Sequence, residues 1–359
     1  MRPTRAISTV AFVTATTLAG LTACGGAPDT TLTASGPAHE PARSVKLGAP
    51  TPVARPAPLA PRAPADGRDA PDPFILRDGN RWVLYSTQVG FLNIPVATAD
   101  DLATWSAPVD ALPVLPEWAE WGRTWAPGAV ARPGGFVLYF AALSRATGRQ
   151  CIGAATAADA AGPFVPASPE PLVCQADLGG SIDPHPFVDS DGTPYLLWKA
   201  DGNAVGRGSV LFSQRLRPDG LGLEGEPAPL LHVDAAWEDP LIENPALVHV
   251  AGQYLLLYSG GWWESESYAT GYASCDTPLG PCVKSTNDGP LHGTGADVAG
   301  PGGACVIVGP AGDMWLVHHG WAPGAVGYAA GGARSVRFAS VTWDGARLAI
   351  SSPPVGRAG

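Results

Sequence analysis

Apolar positions in this chain come in short runs, and no segment holds a helical apolar period long enough to mark a helix. From residue 72 onward the runs are strand-sized (FILRD, RWVLY, FVLYF, YLLW, YLLLY) and are separated by Gly, Pro, Asn and Asp turns. One phrase recurs: an apolar strand, a Gly-containing turn, then a second apolar or aromatic strand. Its copies begin at Asp72-Pro73 (DPFILRDGNRWVLYST), Trp125-Ala126-Pro127 (WAPGAVARPGGFVLYFAA), Asp183-Pro184 (DPHPFVDSDGTPYLLWKA), Glu243-Asn244-Pro245 (ENPALVHVAGQYLLLYSG) and Gly302-Gly303 (GGACVIVGPAGDMWLVHHGW). The intervals from 72 to 125, 183, 243 and 303 are 53, 58, 60 and 60 residues. A hairpin is too small to bury its own faces, so repeats of this length stack around an axis. The pattern predicts an all-β, five-bladed β-propeller over residues 70–359.

Three copies begin with a carboxylic acid. Asp183 lies 15 positions before Trp198, Glu243 lies 15 before Tyr258, and Asp72 lies 13 before Tyr85. This spacing predicts Asp72, Asp183 and Glu243 at equivalent strand ends, converging on the axis. Glu238, Asp239, Asp189 and Asp191 fall out of that register and read as solvated loop residues. Three carboxylates at one place repel, so one of them should hold a proton near neutral pH. An ionised base beside a protonated acid is what cleavage of a glycosidic bond requires. The bland alternative is that such acids cap strand ends or bind a cation. Trp125 falls at the axis end of its blade, and Trp237, Trp262 and Trp263 flank the blade of Glu243; indole faces suit the apolar faces of sugar rings. His185, just after Asp183-Pro184, is a further candidate lining residue. Trp82, Tyr85, Trp198, Tyr254, Tyr258 and Trp315 lie within the repeated strands and read as core.

Charge and composition narrow the partners. The formal net charge is −10 and Lys and Arg form no cluster, which argues against nucleic acid. Arg2 and Arg5 precede an uncharged apolar run from Ala6 to Leu21, the pattern of a signal peptide over residues 1–23. The run ends in Leu21-Thr22-Ala23-Cys24-Gly25, which resembles the lipobox of bacterial lipoproteins. That resemblance implies lipidation of Cys24 and an extracellular protein anchored to the cell membrane; a monomer is expected. Residues 24–69 are rich in Pro and Ala and read as a disordered linker. In an exported chain, Cys275 and Cys282 around DTPLGP, and Cys151 with Cys174 near the ends of an outer hairpin, are candidate disulfide partners; sequence does not fix the connectivity. Cys305, within CVIV, reads as a buried thiol.

The order of blocks, an early DPFI, then WAP, SIDP, ENP and a late HHGW, resembles glycoside hydrolase family 43, whose members are five-bladed propellers acting on arabinan and xylan. The resemblance covers Asp72 to about Gly345. It implies that Asp72 is the general base, that Glu243 is the general acid, and that Asp183 raises the acid's pKa and holds it in place, with inversion at the anomeric carbon. It implies arabinan, arabinoxylan or their oligosaccharides as substrates, cut by an α-L-arabinofuranosidase or endo-arabinanase. A β-xylosidase, or a lipoprotein that binds sugar without cleaving it, are the alternatives. Arg334, in GGARSVRF, resembles a late arginine that reaches the sugar in this family. No cofactor is required. Many relatives hold axial calcium with a His in a GxGH segment; here that segment reads GPGG, with Gly303 at the site, and His319 in LVHHGW is the remaining candidate ligand.

Overall fold

The protein was analysed as a computed structural model that describes residues 57–309 and 311–351. The signal segment and Cys24 lie outside the described residues. Blade 1 comprises β1 to β4 (Phe74–Asp78, Arg81–Tyr85, Pro95–Ala99, Val109–Asp110), and blade 2 comprises β5 to β8 (Ala119–Arg132, Gly135–Ser144, Gln150–Ala157, Val165–Pro166). Blade 3 comprises β9 to β12 (Ser181–Val188, Pro194–Ala200, Val210–Leu216, Leu223–His232), and blade 4 comprises β13 to β16 (Ile242–Val250, Gln253–Gly260, Ala269–Cys275, Cys282–Lys284). Blade 5 comprises β17 to β20 (Ala299–Val308, Met314–Trp321, Ser335–Trp343, Leu348–Ser351). Each blade is a four-stranded antiparallel meander. The only helical elements among the described residues are four short 3₁₀ turns.

Each blade is one continuous chain segment, so no strand is exchanged to close the ring. The innermost strands β1, β5, β9, β13 and β17 touch in sequence, and β1 meets β17 where the circle closes. The second strand of each blade is the most apolar. In β10 every residue is buried, and Trp198, Tyr85 and Tyr258 fill the spaces between sheets as their repeat position predicts. Tyr254 and Trp315 are only partly buried.

The linker reading fails at its C-terminal end. Residues 57–69 lie against the propeller where blades 1 and 5 meet. The Leu59 amide donates to Asp313 Oδ2 (2.8 Å) on blade 5, and the Arg62 amide donates to the Leu102 carbonyl (2.8 Å) on blade 1. Leu59 packs on the core cluster, and Pro61 and Pro64 are buried. Proline suits this stretch because it is an extended strap that needs few amide donors. The Cys151–Cys174 and Cys275–Cys282 bonds are both present, and Cys305 is a buried free thiol.

Candidate active site

Five bulges, one per blade, build the floor of the site. In blade 3, Asp183 and Pro184 fall between the paired rungs Ile182–Lys199 and His185–Leu197. In blade 4, Asn244 and Pro245 fall between Glu243–Ser259 and Ala246–Leu257. Ala126 and Pro127 occupy the corresponding bulge of blade 2, and Gly303 and Ala304 that of blade 5. In blade 1, Asp72 and Pro73 lie between the Pro71 carbonyl, which accepts the Thr87 amide (2.9 Å), and the Phe74–Tyr85 pair. The first bulge residue always has a left-handed backbone: φ is 51° at Asp72, 42° at Ala126, 57° at Asp183, 51° at Asn244 and 59° at Gly303. Four of these five residues carry a Cβ, and the left-handed region costs such a residue about 1–2 kcal/mol. Strain held by surrounding structure commonly marks a functional site.

This geometry corrects one expectation. Asp72 and Asp183 are equivalent, but the equivalent of both in blade 4 is Asn244. Glu243 stands one residue earlier, on the rung occupied by Trp125 in blade 2 and Ile182 in blade 3. The count of 15 misleads because the hairpins differ: in blade 3 four rungs lead to a five-residue turn between Val188 and Pro194, in blade 4 five rungs lead to a two-residue turn between Val250 and Gln253, a net difference of one. Glu243 therefore starts about 3.3 Å from the bulge position along its strand, and its longer side chain approaches the centre differently from the two aspartates.

Asp72 is held from three sides. Its amide donates to His319 Nδ1 (3.0 Å), its Oδ2 accepts the Thr87 hydroxyl (2.6 Å), and Arg334 Nη1 lies 3.9 Å from Oδ1. Glu243 Oε2 accepts Lys199 Nζ (2.9 Å), and Oε1 accepts the Tyr268 hydroxyl (2.8 Å), which also lies 3.0 Å from Asn244 Oδ1. Asp183 Oδ2 accepts the Asn244 amide (2.9 Å). Burial pushes the Asp183 carboxyl well above its ordinary value; the Glu243 and Asp72 charges add to the rise, against the pull of Lys199. Burial pulls the Lys199 pKa down, but Glu243, Asp201 and Asp183 outweigh it and hold the ammonium above the ordinary lysine value. Asp201 Oδ1 is the second direct partner of Lys199, at 3.0 Å. The Tyr268 hydroxyl is likewise pushed well up, first by burial and then by Glu243 and Asp72.

These groups open onto a pocket of about 400 Å³ whose walls include Trp125, Trp262, Trp263 and Arg334. Arg334 lies over the Trp263 ring (4.6 Å), its Nε donates to the Tyr328 hydroxyl (3.1 Å), and its amide donates to Asp69 Oδ1 (2.7 Å). Trp125, Trp262 and Arg334 thus reach the place the sequence suggests. His185 does not. It lines a smaller axial cavity of about 30 Å³ that shares Asp72, Asp183 and Asn244 with the pocket, with its ring edge-on to Phe74 (5.6 Å) and its pKa lowered to about 4 by burial. It follows the bulge by one rung, and its side chain is enclosed by neighbouring strands. Trp237 packs on Tyr258 and donates to the Thr286 carbonyl (2.6 Å), away from the pocket. Glu238, read as solvated, is fully buried.

Sequence reasoning missed Thr87, Lys199, Asn244 and Tyr268. A lysine inside the apolar run YLLWKA was the available signal, since a buried ammonium needs a carboxylate partner. His319 does not fit as a cation ligand. Its Nδ1 accepts the Asp72 amide, so the ring proton resides on Nε2, which is buried without a partner and has no lone pair to offer. A Cβ at Gly303 would lie 2.6 Å from His319 Nδ1, so this ring also fills the space where blade 5 would carry a fifth side chain.

An acid-lined pocket on the axis of a five-bladed propeller sets the class, and sequence comparison sets the family. Residues 62–346 match Glycosyl hydrolases family 43, and the chain belongs to that family. It is 28% identical over 252 residues to the beta-D-galactofuranosidase xynD of Aspergillus niger, covering 69% of this chain and 65% of that protein. It is 29% identical over 160 residues to the extracellular exo-alpha-(1->5)-L-arabinofuranosidase ArbA of Cellvibrio japonicus, covering 40% of this chain and 43% of that protein. The chain thus spans less than two thirds of the length of these curated relatives. The solved structure of a thermostable family-43 glycoside hydrolase superposes with a TM-score of 0.71 at 27% identity, covering 79% of this chain and 93% of the other.

Proposed function

We propose that the protein is an inverting glycoside hydrolase that releases α-L-arabinofuranosyl units from arabinan, arabinoxylan or their oligosaccharides. One observation carries this reading: Asp72, Asp183 and Glu243 face the same aromatic-walled pocket. Asp72, oriented by Thr87 and approached by Arg334, takes the proton of the attacking water. Burial, with the charge of Glu243 beside it, keeps a proton on Asp183. Glu243 delivers the proton to the leaving oxygen, and Asp183 beside it lies in the same pocket wall. Lys199 and Tyr268 fix the Glu243 carboxyl for that delivery. Inversion needs the two working carboxyls about 6.5–9.5 Å apart, leaving room for water. No step uses calcium.

A furanose fits the names of both relatives. An α-L-arabinofuranosyl and a β-D-galactofuranosyl ring share their ring configuration and differ in the exocyclic carbon. Export and a lipid anchor at Cys24 would place the pocket outside the cell, where plant polysaccharide is met. The test is early-time proton NMR of the sugar released from p-nitrophenyl α-L-arabinofuranoside, with the β-D-xyloside and β-D-galactofuranoside alongside. Release of β-arabinose first supports the reading. Release of α-arabinose first contradicts inversion, and turnover of only one of the other glycosides moves the substrate to that sugar.

A further inference from the structure

Two large aromatic rings stand in solvent on the pocket side of the propeller, and the chemistry above does not use them. Phe91 is 85% exposed and Trp121 is 56% exposed. Their rings stack at 6.1 Å with 25° between planes, and neither belongs to a core cluster of the molecule. They come from neighbouring blades. Phe91 sits at the tip of the tight turn closed by the Val89–Leu92 bridge, four residues after Thr87, which holds Asp72. Trp121 lies in β5, four residues before Trp125, which lines the pocket. The innermost strands start at the pocket and turn back at the opposite end, so the part of β5 before Trp125 continues past the pocket on the same side. The Gln88 amide donates to the Thr124 carbonyl (3.1 Å) and ties the two segments together.

We propose that Phe91 and Trp121 form a platform for a further sugar residue of the same glycan whose terminal unit enters the pocket. The inference rests on the glycosidase reading and extends it from a pocket to a track. Between the Ala119–Ser144 and Thr124–Ala142 pairs β5 bulges by four residues against one, with Gly122 at φ 86°, and neither Phe91 nor Trp121 lines the pocket, so the platform lies beyond a monosaccharide there and meets only longer chains. Near-parallel rings offer a flat apolar face, which a sugar ring matches with its C–H face. Arg123 and Glu120, beside Trp121, supply the polar edge that sugar hydroxyls need. As packing, the pair does little, because both rings stay largely exposed and neither reaches the core.

The test compares wild type, Trp121→Phe and the Phe91→Ala/Trp121→Ala double variant on p-nitrophenyl α-L-arabinofuranoside and on arabinopentaose. For the double variant, kcat/KM on arabinopentaose is expected to fall about tenfold, mainly through KM, which is the loss of roughly 1.4 kcal/mol of ring contact. The aryl glycoside should change by less than about twofold, and Trp121→Phe should restore most of the loss. Equal losses on both substrates, or no loss on either, overturn the platform. Electrophoresis through debranched arabinan separates this from failure of the hydrolase reading. If wild type cleaves nothing but is retarded and the double variant is not, the platform stands and the hydrolase falls. Equal mobility of wild type and double variant overturns the platform.

Discussion

The chain buries two lysine–glutamate pairs near blade 4, and they are built to opposite ends. Lys284 and Glu238 meet at 2.7 Å in a sealed interior. Glu238 Oε1 accepts the Tyr258 hydroxyl (2.7 Å), and Oε2 accepts the amides of Asp234 (3.0 Å) and Ala235 (3.1 Å). Lys284 also donates to the His232 carbonyl (2.6 Å) and to Asp234. Every donor and acceptor of the pair is used. Lys199 and Glu243 meet at a similar 2.9 Å, but Asp201 and Asp183 share the same ammonium and the group faces an open pocket. That cluster sets three carboxylates against one ammonium, where the sealed one sets two, Glu238 and Asp234. The difference between the two lies in how the carboxyls are satisfied: Glu238 accepts four hydrogen bonds and holds structure, while Asp183, buried beside the charges of Glu243 and Asp72, keeps a proton.

The largest expected effect lies at the base. Asp72→Asn should reduce turnover of aryl and natural arabinosides alike by about 10³-fold or more, within the range that general base catalysis supplies. Steady-state assay on both substrate types checks this, and a variant keeping most of its turnover removes Asp72 from the mechanism. The sealed pair should answer in a different measurement. Glu238→Gln removes one partner of a buried pair and should lower unfolding free energy by about 3–5 kcal/mol, read from a urea titration. The activity of the protein that remains folded should be unchanged.

A smaller effect separates the clusters by pH. The folded chain keeps a proton on Asp183 that the unfolded chain releases above the ordinary value of 3.8, because the folded value is raised. The contribution of this group to stability is therefore fully present below that ordinary value and is lost as pH rises through the raised one. Asp183→Asn cannot ionise, so its melting temperature should gain on wild type as pH goes from about 5 to about 8. A constant offset across that range contradicts the retained proton.

Much of this was legible before the structure. Repeated hairpins gave the blade count, because alternation and turn residues act locally. Asp72, Asp183 and Glu243 could be brought to one pocket because each opens a repeat. Their fine register was not legible. One hairpin has a turn three residues longer but one rung fewer than another, and the net slip of one made Glu243 look equivalent to Asp183 when Asn244 is. Partners from distant sequence were also hidden: Tyr268 and Thr87 carry no motif, and Lys199 declares itself only through the charge it must neutralise. The strap at 57–69 was misread because its proline-rich composition is equally suited to a solvated tether and to an extended segment that docks.

The central claim is that Glu243, in the unbalanced cluster, protonates the leaving group. The direct measurement is kcat/KM of Glu243→Gln on p-nitrophenyl α-L-arabinofuranoside and on arabinobiose, each relative to wild type, with Glu238→Gln as the comparison. Nitrophenolate leaves with little help, so the variant should lose about 10²–10⁴-fold on arabinobiose and much less on the aryl glycoside, while Glu238→Gln loses equally little on both. Equal losses by Glu243→Gln on the two substrates would contradict the assignment of the acid.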